Sequence, residues 1–170
     1  KCVDENGDDV GLDAVGELWV RGAHVIRGYL NREDDTAETI TDGWLHTGDI
    51  ARIDEDGFIF LVDRAKDMVL RGGENVYCAE VEAALYEHPA VYEAAVFGLP
   101  HERLGEEVGA AIYPKPGHPL DADEIKRHMK ERVASFKVPS QVDIVDAPLP
   151  RNPAGKILKR EIRDRIVEGS

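Results

Sequence analysis

Apolar and polar residues alternate along Gly16-Glu17-Leu18-Trp19-Val20-Arg21-Gly22, and glycines bound the run, so a strand is predicted there. The polar, acidic stretch that follows, through Thr41, has room for a short helix. Ile50–Ile53 and Phe58–Val62 flank Asp54-Glu55-Asp56-Gly57, a hairpin signal in which Gly57 can take φ > 0. The first third of the chain is therefore expected to be mostly β. Two hairpins and a loop bury little on their own, so this part reads as the edge of a larger β-subdomain.

After Arg64 the periodicity changes. Met68–Arg71 predicts a short strand ending at Gly72-Gly73. A helix is predicted from about Ala79 to Glu87, with Val81, Ala84 and Leu85 on one face and Pro89 as its stop. Strands follow near Tyr92–Phe97 and Val108–Tyr113, the latter with Val108, Ala110 and Ile112 on one face. Asp121 offers an N-cap, with Glu124 three residues on, to a helix whose Ile125, Met129 and Val133 fall at i, i+4 and i+8. Val142 and Ile144 mark another strand, and Leu158, Ile162 and Ile166 a last helix. The fold class is α+β, without repeats or low-complexity tracts.

Composition narrows the function. At 170 residues and 42% hydrophobic the chain can bury a core, and it has no apolar run near the roughly 20 residues that span a bilayer. Lys1-Cys2-Val3-Asp4 does not look like a secretory signal, and the start looks internal to something longer. Cys2 and Cys78 are too few for a disulfide framework, which suits a reducing, cytoplasmic location. The six histidines are scattered, so no metal ligand is assigned. The formal charge of −13 is concentrated early: residues 1–62 hold 5 Lys and Arg against 15 Asp and Glu. From Arg151 to Arg165 the balance reverses, with six basic residues against Glu161 and Asp164. Such a patch favours a small polyanion such as a nucleotide or coenzyme. Nucleic acid is not expected, because no aromatic side chains interleave the basic ones.

The loop Leu149-Pro150-Arg151-Asn152-Pro153-Ala154-Gly155-Lys156 precedes the last helix. Its prolines restrict φ and its glycine can take angles a β-carbon forbids, which limits the poses of Lys156. A lysine so held suits a phosphate or carboxylate oxygen as a point partner.

Four segments together resemble one family: Trp44-Leu45-His46-Thr47-Gly48-Asp49, Asp63-Arg64-Ala65-Lys66-Asp67, Gly72-Gly73-Glu74-Asn75-Val76 and Gly155-Lys156. In this order and spacing they resemble the C-terminal portion of the AMP-forming acyl-CoA synthetases, of the adenylate-forming superfamily. The likeness runs from about Gly16 to Arg163. It implies that residues 1–65 are the β-rich end of a larger N-terminal domain and that residues 66–170 are a small mobile C-terminal domain. It also implies that Asp49 binds the ribose hydroxyls of ATP, that Arg64 is a second nucleotide contact and that Lys66 is the hinge between two half-reactions. By the same resemblance Gly72 and Gly73 are expected to flank coenzyme A, and Lys156 to be the catalytic lysine that also contacts the nucleotide. The substrates implied are a carboxylic acid, fatty or other, with ATP, Mg²⁺ and coenzyme A. The Mg²⁺ ligands, phosphate loop and acyl pocket belong, in that family, to the upstream large domain, so the fragment alone is expected to be inactive. A lysine acetyltransferase and deacetylase acting at Lys156 are further expected partners. The alternatives are an amino-acid-activating domain that delivers to a carrier protein, and a non-catalytic nucleotide-binding module. Cys78 stands where that family carries proline or serine and is given no role.

Overall fold

The protein, described by a computed structural model over residues 1–169, divides into two compact units, with the break between Lys66 and Asp67. In the first, strands β1 (Cys2–Val3), β2 (Val15–Val20), β3 (Ile40–Thr41), β4 (Trp44–Ile53) and β5 (Ile59–Arg64) form one antiparallel sheet ordered β1-β2-β4-β3, with β5 also paired to β4. A short helix, α1 (Glu33–Thr39), precedes β3, in the acidic stretch where one was expected. The β4–β5 hairpin turns as its sequence predicts: Gly57 has φ +83° and the Asp54 carboxylate accepts from the amides of Asp56 and Phe58. The core of this unit is small, built on Cys2, Leu18 and Ala51 with Val10, Val20 and Ile53 against it. Phe58, Ile59, Phe60 and Leu61 stay exposed, Leu61 by 67%.

One expectation is corrected here. The hairpin signal places its first strand at Ile50–Ile53, and that strand extends back through Trp44–Asp49 to form β4. The run lacks clean alternation because the ladder with β2 is interrupted. Glu17 pairs with Ile50 and Trp19 with His46, which leaves Thr47, Gly48 and Asp49 opposite Leu18 alone. Gly48, at φ +69°, absorbs the bulge.

The second unit is a three-layer α+β domain. Strands β6 (Val69–Arg71), β7 (Glu74–Val76), β8 (Val91–His101), β9 (Gly105–Pro114) and β10 (Gln141–Ile144) form a mixed sheet ordered β10-β9-β6-β7, with β8 also on β9. Only β10 runs parallel to its neighbour β9. Helices α2 (Cys78–Tyr86) and α3 (Ala122–Lys130) supply Val81, Ala84, Leu85, Ile125 and Met129 to one face, where they pack on Val96, Val108, Ala110 and Ile112. Helix α4 (Lys159–Glu168) covers the other face, its Ile162 meeting Ala95, Phe97, Leu99 and Ala111. Asp121 caps α3 through the Glu124 amide at 2.8 Å, as predicted. The helix stops at Lys130, however, so Val133 lies beyond it. The Arg132 amide bonds the Met129 carbonyl three residues back, which tightens the last turn, and Val133 still packs on the core.

Covering β8 also protects its edge. Its outward amides would be open to another strand, and α2 satisfies two of them: Val96 N donates to Glu82 at 2.8 Å and Ala94 N to the Tyr86 hydroxyl at 3.1 Å.

Candidate active site

Lys156 is held by backbone rather than by its own side chain. Arg151 and Ile157 form an isolated antiparallel bridge, and the Asn152 amide donates to the Lys156 carbonyl at 2.9 Å. The Asn152 side-chain oxygen accepts from the amides of Ala154 (3.0 Å) and Lys156 (2.9 Å), while the Gly155 amide returns to the Asn152 carbonyl. Gly155 has φ +83°, and a β-carbon there would meet no atom but would strain the backbone. Pro150 and the turn thus hold Lys156 outward, exposed beside an open cleft of about 330 Å³ that Asp67 and residues 156–161 line.

The expected basic patch is largely neutralised. Arg151 pairs with Glu93 at 2.8 Å, Lys159 with Glu82 at 2.7 Å, Arg160 and Arg163 with Asp164, and Arg165 with Glu161. Of the six basic residues from Arg151 to Arg165, Lys156 alone has no carboxylate partner among the described residues. Lys159, three residues away, shows the contrast. Burial pulls its pKa down, but the Glu82 charge and hydrogen bond, with Cys78 and Asp67 beyond, outweigh that and hold it above the usual lysine value. It is a structural cation that docks α4 onto α2, whereas Lys156 is free to meet an incoming anion.

In the first unit the structure brings Asp49 and Arg64 together. They stand opposite one another in the β4–β5 ladder, and Arg64 Nε lies 3.0 Å from Asp49 Oδ1. Although Asp63 and Asp67 lie close by in sequence, the ion pair of Arg64 is with Asp49, the other residue assigned to the nucleotide. Asp49 Oδ2 and the Arg64 Nη groups make no hydrogen bond among the described residues. The pair therefore presents an acceptor beside a donor fork, which suits a vicinal diol and an adjacent polar group.

Glu17 is a residue that sequence reasoning passed over as the polar half of an alternation. Its carboxylate accepts from the Gly48 amide at 3.1 Å and from the Trp19 indole at 3.0 Å, and so pins the bulge that presents Asp49. Thr47 completes the clamp, its hydroxyl donating to the Leu18 carbonyl and accepting from the Asp49 amide. Glu17→Ala is expected to cost about 1–3 kcal/mol, because two partly buried donors lose their acceptor. Chemical denaturation followed by tryptophan fluorescence checks this; an unmoved midpoint would assign the bulge to Thr47 alone.

Gly72 and Gly73 form the two-residue turn of the β6–β7 hairpin, at φ +60° and +90°. Both need positive φ, which is what a tight hairpin demands. They differ in their surroundings: a β-carbon on Gly72 would lie 3.1 Å from Leu104, whereas one on Gly73 would meet nothing within 4 Å. Lys66 is exposed in a one-turn 3₁₀ segment, Ala65–Asp67, at the break between the units. Among the described residues no three His, Cys, Asp or Glu side chains converge as metal ligands. Among the described residues no helix is long and apolar enough to cross a membrane.

Comparison with known proteins bears on the class of this three-layer α+β domain. Residues 80–156 match the AMP-binding enzyme C-terminal domain. It is 45% identical over 166 residues to a fatty acid–[acyl-carrier-protein] ligase of Streptomyces coeruleorubidus, covering 98% of this chain and 32% of the relative. Against a feruloyl-CoA synthase of an Amycolatopsis species the identity is 45%, covering 95% and 33%. The solved o-succinylbenzoate CoA synthetase of Bacillus subtilis, in complex with its acyl-adenylate intermediate, superposes with TM-score 0.86 at 36% identity, covering 96% and 33%. The chain thus spans about a third of the length of the curated relatives it matches.

Proposed function

We infer that this chain works as the C-terminal part of an ATP-dependent, AMP-forming carboxylate–CoA ligase. In the first step a carboxylate oxygen attacks the α-phosphorus of ATP and pyrophosphate leaves. In the second the coenzyme A thiol attacks the acyl carbonyl and AMP leaves. The observation that carries this reading is the isolation of Lys156 on a turn fixed by Asn152, while the basic residues around it are spent on Glu93, Glu82, Asp164 and Glu161. A preorganised cation there orients the carboxylate and offsets charge gathering on the phosphate oxygens. Asp49 and Arg64 take the ribose and its neighbourhood, and Gly72-Gly73 lets the thin pantetheine arm run along bare backbone. Lys66 is the position about which the second unit turns between the steps, since an exposed single turn has no packing to hold it. Lys156, exposed and unpaired, is also open to an acetyltransferase and a deacetylase.

The test is made on the whole protein with a panel of carboxylic acids: acid-dependent ATP–pyrophosphate exchange, then coenzyme A-dependent release of AMP. No exchange with any acid would sink the reading. A second reading keeps the first step and changes the thiol to that of a carrier protein, as the similarity to the Streptomyces ligase suggests. Exchange without turnover on coenzyme A, restored by a pantetheinylated carrier protein, would select it.

A further inference from the structure

Strand β8 is apolar almost throughout, and Glu93 is the exception: a carboxylate 8% exposed between Val91 and Ala94. A buried charge persists only when it is paired and hydrogen-bonded. The β8–β9 register shifts between Val91 and Glu93. As a result Val91 joins the face of Ala94 and Val96, while Glu93 shares the face of Ala95 and Phe97, beneath Leu149. The bulge re-aims Val91, while Glu93 lies on the Ala95 and Phe97 face by the ordinary alternation of the strand.

What Glu93 reaches is the lysine loop. Oε2 accepts from the Leu149 amide at 2.7 Å and Oε1 from Arg151 Nη2 at 2.8 Å. The same guanidinium spans onward, its Nη1 donating to the Gly155 carbonyl at 2.7 Å. The path from sheet to loop is therefore continuous: β8 backbone, buried carboxylate, planar guanidinium, and the peptide that joins Gly155 to Lys156. A guanidinium suits this link because its rigid fork serves two acceptors at once. The turn made by Asn152 sets the shape of the loop, and the Glu93–Arg151 bridge ties that shape to the sheet.

We propose that Glu93 and Arg151 are positioning residues for Lys156, holding its ammonium where the first half-reaction needs it. The proposal rests on the reading of Lys156 given above. It predicts damage confined to one step, because in the second step coenzyme A meets the acyl-adenylate without that lysine.

The experiment uses the whole protein and the variants Arg151→Met, Arg151→Lys and Lys156→Ala. Three quantities are read: acyl-adenylate formation, thioester formation from supplied acyl-adenylate, and amide exchange of residues 151–158 by mass spectrometry. Arg151 is half-exposed, but its loss leaves the Glu93 carboxylate with the Leu149 amide alone. A thermal melt therefore accompanies each variant, and the double variant Glu93→Gln/Arg151→Met, which removes the unpaired charge, is read beside Arg151→Met. Arg151→Met is expected to slow adenylation about 10- to 100-fold, as misplacement by about an ångström does. Thioester formation should stay within about two-fold, and exchange at 151–158 should rise. Arg151→Lys should recover part of the rate, since one ammonium can reach Glu93 but not Gly155 as well. Equal loss in both steps, unchanged exchange, or normal adenylation beside a crippled Lys156→Ala overturns the bridge's role. Normal adenylation in Lys156→Ala overturns the catalytic reading itself, and the bridge's role with it.

Discussion

Lys156→Ala in the whole protein is expected to slow acyl-adenylate formation on the order of 10²-fold or more, the usual effect of deleting one preorganised charge at a reacting centre. Thioester formation from supplied acyl-adenylate should continue. The asymmetry follows from the site: the loop keeps its form through Asn152, Gly155 and Arg151, none of which uses the Lys156 side chain, so the substitution removes a cation without moving the backbone. A thermal melt of the variant should therefore overlay that of the parent. Acetylation deletes the same charge and donors. Enzyme acetylated at Lys156 should behave as the alanine variant does until a deacetylase restores it, and full adenylation by stoichiometrically acetylated protein would remove both the regulatory and the catalytic assignment.

The parts of this fold that were legible in the sequence are those decided within one element. Val108, Ala110 and Ile112 announce a strand by their period of two, and all three are fully buried on one face of the sheet. Asp121 and Glu124 announce a helix start because the cap is made over three residues. The turn residues Gly57, Gly72 and Gly73 all take the positive φ that their neighbours imply. What stayed hidden depends on pairing across the chain. The two-residue strands β1 and β3 have no period to read, and β4 reads poorly because its bulge opposes three residues to Leu18.

The candidate site divides in the same way. Lys156 stands out locally through its prolines and glycine. The neutrality of its surroundings does not, since the carboxylates that pair Arg151 and Lys159 come from Glu93 on β8 and Glu82 on α2. Asp49 and Arg64 were assigned separately, and only the hairpin register makes them one ion pair. A signal for Glu93 was present all the same: a lone carboxylate in the apolar run from Val91 to Leu99 needs a partner. The sequence does not say which partner, because the answer lies 58 residues further on.

Substitution at Gly73 should produce the opposite kinetic split, provided that strain is separated from bulk. Any side chain there must adopt φ near +90°, which costs roughly 1–2 kcal/mol in an L-residue whatever its size. The space beyond is open, so that cost should be nearly the same for Gly73→Ala and Gly73→Leu. Denaturation midpoints of the two variants should therefore fall together. Their second half-reactions should not, because only leucine projects far enough from the hairpin turn to obstruct a ligand lying along its backbone. Gly73→Leu is expected to raise the KM for coenzyme A on the order of ten-fold relative to Gly73→Ala, about 1.4 kcal/mol of lost binding, with acyl-adenylate formation unchanged in both. Rates of thioester formation from supplied acyl-adenylate, measured across a range of coenzyme A concentrations, decide the matter. If leucine and alanine raise KM equally, the defect is hairpin strain and the pantetheine arm does not run over Gly73; if neither raises it, coenzyme A approaches the acyl-adenylate by another face of this domain.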